Sequence, residues 1–149
     1  MAGVGFSIQT AKIATGTSAK TIAQLVAAAN VRAVVDELSI SFDGTVNSGT
    51  PILVEAVRQT SAGTMSAQTV RKTNNSDQET LNTTAQNTAT AEPTDSGDVP
   101  WSELVHPQTG YTWQAPYGKE ISVQGGTRLG IRVTAAAGVN CVVRIKGQE

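Results

Sequence analysis

Short runs in which apolar and polar residues alternate, separated by turns, dominate this chain. The clearest are VRAVVDELSISF, PILVEAV, KEISVQ, RLGIRV and VNCVVRIK. Leu38, Ile40 and Phe42 alternate with Ser39 and Ser41, which is the pattern of a strand with one buried and one wet face. Val34 has the parity of that buried set, but so does Asp36. A β-bulge near Asp36-Glu37, or a buried and partnered carboxylate, resolves the conflict. Ile52, Val54 and Ala56 alternate in the same way, with Pro51 at the first position, where a strand tolerates proline. Leu129, Ile131 and Val133 face one way and Arg128 and Arg132 the other, and Val139, Cys141, Val143 and Ile145 supply the last strand. Gly125-Gly126, between EISVQ and RLGIRV, reads as a hairpin link. In AKTIAQLVAAAN the spacing of Ile22, Leu25 and Val26 also suits a helix, but its flanks favour a strand.

Two segments differ from this pattern. Residues 1–16 hold Phe6, Ile8 and Ile13 and end at Gly16, and they read as an extended N-terminal arm. Residues 61–99 contain only Met65, Val70, Leu81 and Val99 as large apolar residues, the composition of a long polar connection. The alternating NTTAQNTATA within it predicts an ordered excursion containing strand. Both segments are charge-poor and short of large apolar side chains, so both are expected to reach a neighbouring subunit or the lattice rather than complete the chain's own core. Residues 17–149, the 61–99 connection included, form one domain: an all-β, jelly-roll-like β-sandwich of about eight strands. The DGTVNSGTP segment at 43–51 reads as a turn between strands.

Composition narrows the function. The 149 residues suffice for one core without staples, 39 % are hydrophobic and only 15 % are charged. A net charge of −1, with Arg71-Lys72 the only adjacent basic pair, gives no footprint for nucleic acid. No run of eighteen apolar residues predicts a membrane helix, and MAGVGFSIQTAK lacks the layout of a signal peptide, so a soluble product made in a cytoplasm is expected. The single histidine, His106, and the single cysteine, Cys141, rule out the common zinc sets and any intrachain disulfide. His106, before a proline, reads as a solvated or backbone-bonded side chain, and Cys141 as a small buried thiol. No serine sits in a nucleophile elbow, no glycine-rich phosphate cradle opens a helix, and Asp95 and Asp98 are too few for calcium. The expectation is a non-enzymatic protein without metal or cofactor.

Trp101, Tyr111, Trp113 and Tyr117 fall close together and allow three readings: a plug at the end of the sandwich, a protein interface, or a carbohydrate platform. With Phe6, Ile8, Arg71 and Lys72 they make up the candidate interface.

The segments RQTSAGT (58–64), TAEPT (90–94), VHPQTGYTW (105–113) and GGTRLGIRVTA (125–135) resemble small virion proteins of tailed bacteriophages, the decoration or cement proteins of capsids. The similarity runs from about residue 20 to the end, through turns and strands rather than catalytic signatures. It implies a β-sandwich subunit on the capsid exterior, commonly trimeric, that clamps the major capsid protein lattice. The alternative is a carbohydrate- or receptor-binding module using the 101–117 aromatics. An enzyme built on Asp36, Glu37 or Glu55 is a third reading that no motif supports.

Overall fold

The computed structural model describes residues 3–45 and 49–149. Residues 1–2 of the expected arm and 46–48 of the expected 43–51 turn lie outside them. In chain order the strands are β1 (Gly5–Gln9), β2 (Ile13–Ala14), β3 (Lys20–Val26), β4 (Ala33–Phe42), β5 (Ile52–Gln59), β6 (Thr64–Gln68) and β7 (Val70–Lys72). They continue as β8 (Thr84–Ala91), β9 (Trp101–Val105), β10 (Gly110–Gln114), β11 (Ile121–Val123), β12 (Arg128–Thr134) and β13 (Asn140–Gln148). All strand pairs are antiparallel. Sheet A has the order β10-β4-β13-β1-β7, with β11 also on β4 and β2 also on β13; sheet B has the order β6-β8-β3-β12-β5-β9.

The expected β-sandwich is thus the observed fold, and the strand order specifies its type. Take β1, β3, β4, β5, β9, β10, β12 and β13 as first to eighth. Sheet A then contains the order first-eighth-third-sixth and sheet B second-seventh-fourth-fifth. These are the two interleaved sheets of a jelly roll. Of the other strands, β2 and β11 add short pairings to sheet A, and β6, β7 and β8 belong to the polar excursion. These last three extend both sheets beyond the same side, β7 outside β1 and β8 with β6 outside β3.

Local chemistry explains the register. The strand β4 switches burial parity between Val35 and Leu38, because Glu37 pairs with Lys146 and Val35 with Gly147, leaving Asp36 as the extra residue of a bulge. Val35 rather than Val34 therefore enters the core. The bulge needs glycine opposite it, since a Cβ at Gly147 would strike the Val34 carbonyl. Asp36 stays at the surface and its carbonyl accepts the amide of Ala115 at 2.8 Å, at the break between β10 and β11.

The N-terminal segment is corrected from arm to core strand. Phe6 and Ile8 are fully buried, and β1 lies between β13 and β7, filling a gap in sheet A. The alternation Phe6-Ser7-Ile8-Gln9 is that of any half-buried strand, and β13 without β1 would present an open edge. The excursion is likewise ordered on the chain's own sheets, with Thr83, Ala85 and Ala89 buried. Its buried side chains are small, so a scan for large apolar residues misses them.

Strand β3 lacks alternation because both of its faces are covered. Residues 92–98 lead from β8 to β9 across the outer face of sheet B. Beneath them Thr21, Gln24 and Gln59 are buried and mutually bonded. The Gln59 amide accepts from Gln24 at 2.8 Å and donates to the Thr21 hydroxyl at 3.1 Å. Glu92 accepts the Thr21 amide at 2.9 Å and its hydroxyl at 2.7 Å, and Asp95 pairs with Arg132, which also holds Glu55 at 3.2 Å. Gly130 leaves the room that the Gln59 side chain occupies. Buried amides of this kind are tolerated only when bonded, and these are.

Gly125-Gly126 forms no hairpin, because β11 belongs to sheet A and β12 to sheet B. The glycines turn the chain between sheets. Gly126 has φ +80°, and a Cβ on Gly125 would lie 2.6 Å from the Ala29 carbonyl.

Candidate interface

Strands β9 and β10 lie at the same side of the sandwich, one in each sheet, and among the described residues each pairs with a single neighbour. Tyr111 and Trp113 stand opposite Ile40 and Leu38 of β4, on the core-facing parity. Trp101 reaches them from β9. Its ring centroid is 6.1 Å from Tyr111, stacked at 26°, and 6.4 Å from Trp113, tilted at 41°. Trp101 and Trp113 pack on the core, while Tyr111 is 39 % exposed. The three rings close the side of the sandwich and present one apolar edge. Leu104, on the opposite parity of β9, points outward at 64 % exposure, and Val99 just before the strand is also exposed.

Tyr117 makes none of these ring contacts; it sits in the β10–β11 loop, wholly exposed. Phe6 and Ile8 leave the candidate set as core residues, for the reason given above. Arg71 is exposed on the outer face of sheet A, opposite Ser7. The Lys72 ammonium instead donates to the Asp77 carbonyl at 2.9 Å and ties β7 to the following turn.

The outer face of sheet A is flat and polar. Glu37 accepts from Arg144 at 2.7 Å and from Gln114 at 3.2 Å, and Ser39 bonds Thr112 at 3.1 Å. The Gln114 bond, with Lys146 and Arg144 nearby, holds the Glu37 carboxyl below its usual range. Burial and the neighbouring Glu37 push Asp36 up. Glu55 lies on the other sheet, so the three carboxylates weighed for catalysis are not brought together.

His106 accepts the Gln108 amide on Nδ1 at 3.2 Å within its turn. Cys141 is buried, and burial pushes its thiol up to about 12. Among the described residues no three His, Cys, Asp or Glu side chains group as a metal set, and no helix is long and apolar enough to cross a membrane. Asp98 and Asp95, the two carboxylates considered for calcium, pair instead with Arg58 at 2.7 Å and with Arg132.

Comparison with known protein families, curated proteins and solved structures finds no match to this chain.

Sequence reasoning grouped Trp101, Tyr111, Trp113 and Tyr117 by proximity; the first three meet, Tyr117 stands apart, and Leu104 was missed. The signal was present: Leu104 has the opposite parity to Trp101 and Val105, so if Trp101 turns inward Leu104 turns out.

Proposed function

We propose that this chain is a structural subunit that associates with copies of itself, with a trimer preferred, and decorates a protein lattice of the kind formed by a bacteriophage capsid. Its work is mechanical rather than catalytic, and its place is the virion exterior. The observation that carries the reading is the β9/β10 side. Two edge strands with unpaired outer backbone groups are lined by a stacked aromatic cluster and an outward leucine. An exposed edge with large apolar side chains is a template for another chain unless it is blunted. Aromatic anchors bring large contact area at low entropy cost. A lattice-bound subunit gains further from engaging several neighbours at once, which opposes rupture of a shell by multivalency. The jelly-roll frame and the resemblance of residues 58–64, 90–94, 105–113 and 125–135 to phage decoration proteins favour a virion lattice as the partner.

Sedimentation of the purified chain tests this directly. A concentration-dependent trimer is expected, and Leu104→Asp should return it to monomer without loss of the β spectrum. A wild-type chain that stays monomeric up to its solubility limit would overturn the self-association. A trimer that Leu104→Asp and Tyr111→Asp leave intact would remove the β9/β10 edge from it.

The carbohydrate reading finds less support. Trp101 and Trp113 are engaged with the core, which leaves Tyr111 as the one cluster ring with a substantially free face.

A further inference from the structure

A pocket lined by none of the four aromatics lies at one end of the sandwich. The end of β5, the β3–β4 turn, the 92–98 crossing and the β11–β12 turn converge there around a pocket of about 400 Å³. Its polar lining includes Arg32, Arg58, Ser96, Ser122, Gln124 and Thr127. The volume is that of a small-ligand or single side-chain site.

The frame of this pocket is fixed. Arg58 rises from sheet B and donates Nη1 to the Ser122 carbonyl of sheet A at 2.7 Å, while its Nε donates to Asp98 at 2.7 Å. Two edges of the guanidinium are thereby committed, and Nη2 has no partner among the described residues. The facing wall is equally held. Gly126 donates to the Ala27 carbonyl at 3.1 Å, Ala27 donates to the Thr127 carbonyl at 3.1 Å, and Gly125 packs on the carbonyls of residues 28, 29 and 31. Arg32 stands one step beyond the Val123–Ala33 pair, beside Gln124, and its guanidinium is exposed with no partner among the described residues.

Charge then selects the ligand. Arg32 and Arg58 are opposed by the single carboxylate Asp98, so one positive charge is left over, which suits a monoanion better than a phosphate dianion. A planar carboxylate matches the fork of a guanidinium, and the hydroxyls and amide around it supply donors for its remaining lone pairs. No aromatic ring lines the pocket, so a sugar ring has nothing to stack on.

We propose that this pocket binds the carboxylate of an aspartate or glutamate side chain presented by another polypeptide. The choice of a polypeptide as the source rests on the proposed role as a subunit-binding protein; the carboxylate chemistry does not. The two fail separately, since self-association is read at Leu104 and Tyr111 and the pocket is read at Arg32.

The test follows amide NMR shifts of Ser122, Gln124, Gly125 and Thr127 as the full chain is titrated with four probes. These are a blocked tetraglutamate peptide, a blocked tetraglutamine peptide, glucuronate and inorganic phosphate. Tetraglutamate should shift these amides saturably, tetraglutamine should not, and Arg32→Gln should weaken the binding about tenfold or more. Arg32 is exposed and bonds nothing among the described residues, so this variant keeps the fold, and Gln124→Ala offers a second, milder reduction. Absence of shifts, equal shifts with tetraglutamine, or binding unchanged in Arg32→Gln would overturn the site. Tighter binding of glucuronate or phosphate than of tetraglutamate would overturn the polypeptide source.

Discussion

Replacing Phe6 by alanine separates a core strand from a docking arm. Phe6 is fully buried and sits in register with Gly147 of β13, whose missing side chain leaves space for the ring. Removing a buried phenylalanine side chain costs about 3–5 kcal/mol, from lost transfer energy and the cavity left behind. Domains of this size hold about 5–15 kcal/mol in total. The single change therefore removes a large fraction of the stability. Thermal midpoints move by about 2–4 °C per kcal/mol in chains of this length, so a fall on the order of 10 °C is expected. In a denaturant titration the midpoint should drop while the slope stays constant, the mark of a change in stability alone.

Ile8→Ala should follow at about 2–5 kcal/mol, because Ile8 is fully buried opposite Ile145 and Val70. Deletion of residues 1–12 removes both side chains and opens the edges of β13 and β7 together, so the shortened chain should not fold. The reasoning fails if Phe6→Ala loses less than about 1 kcal/mol while assembly alone is weakened. That result belongs to an arm that reaches another subunit.

Two further outcomes test the polar parts of the structure. Gln59→Ala takes one partner from the Gln24 amide, which keeps the Ser61 carbonyl, and one from the Thr21 hydroxyl, which keeps Glu92, and should cost about 1–3 kcal/mol in a denaturant titration; a loss under about 0.5 kcal/mol would mean that water replaces the amide freely. Bonds from Lys12, then from the Asn140 side chain and amide, lower Asp43 from its ordinary value of 3.8 to about 2. A depressed carboxylate contributes stability that is complete above the unfolded value and is lost as pH falls through the folded one. Asp43→Asn should thus lower the denaturation midpoint at neutral pH, and the difference should vanish as pH falls from about 4 to about 2. A difference that persists unchanged at the acid end would show that the ion pair is not its source.

Legibility in the sequence followed side-chain size and parity. The strands β4, β5, β12 and β13 alternate large apolar with polar residues, and their existence could be read directly. The bulge at Asp36 was visible as a parity conflict, although its resolution to Val35 depends on Gly147, more than a hundred residues away. Where the rule failed, burial had another cause. Strand β3 is covered on both faces, so its pattern fits no period, and Gln24 within IAQLV could not be told from a surface amide. The excursion buries Ala85 and Ala89, side chains that no hydropathy scan weights. Arg32 and Arg58 line one pocket only because the β3–β4 and β11–β12 turns and the end of β5 collect at one end of the sandwich.

The excursion also gives the molecule its asymmetry. Without residues 61–99, the jelly roll would have open edges on both sides, at β1 and β3 on one and at β9 and β10 on the other. The inserted strands cover the first pair and put new edges, β6 and β7, in their place. Those edges are short, and their exposed residues are small, polar or basic: Thr64, Ser66, Ala67 and Arg71. Short polar edges with a cation discourage pairing with another chain. The opposite side has no such covering and instead carries Leu104, Tyr111 and the rings stacked behind them. Selection against aggregation would blunt both sides alike. One side is blunted and the other left apolar, so the proposed association is drawn to the β9/β10 side.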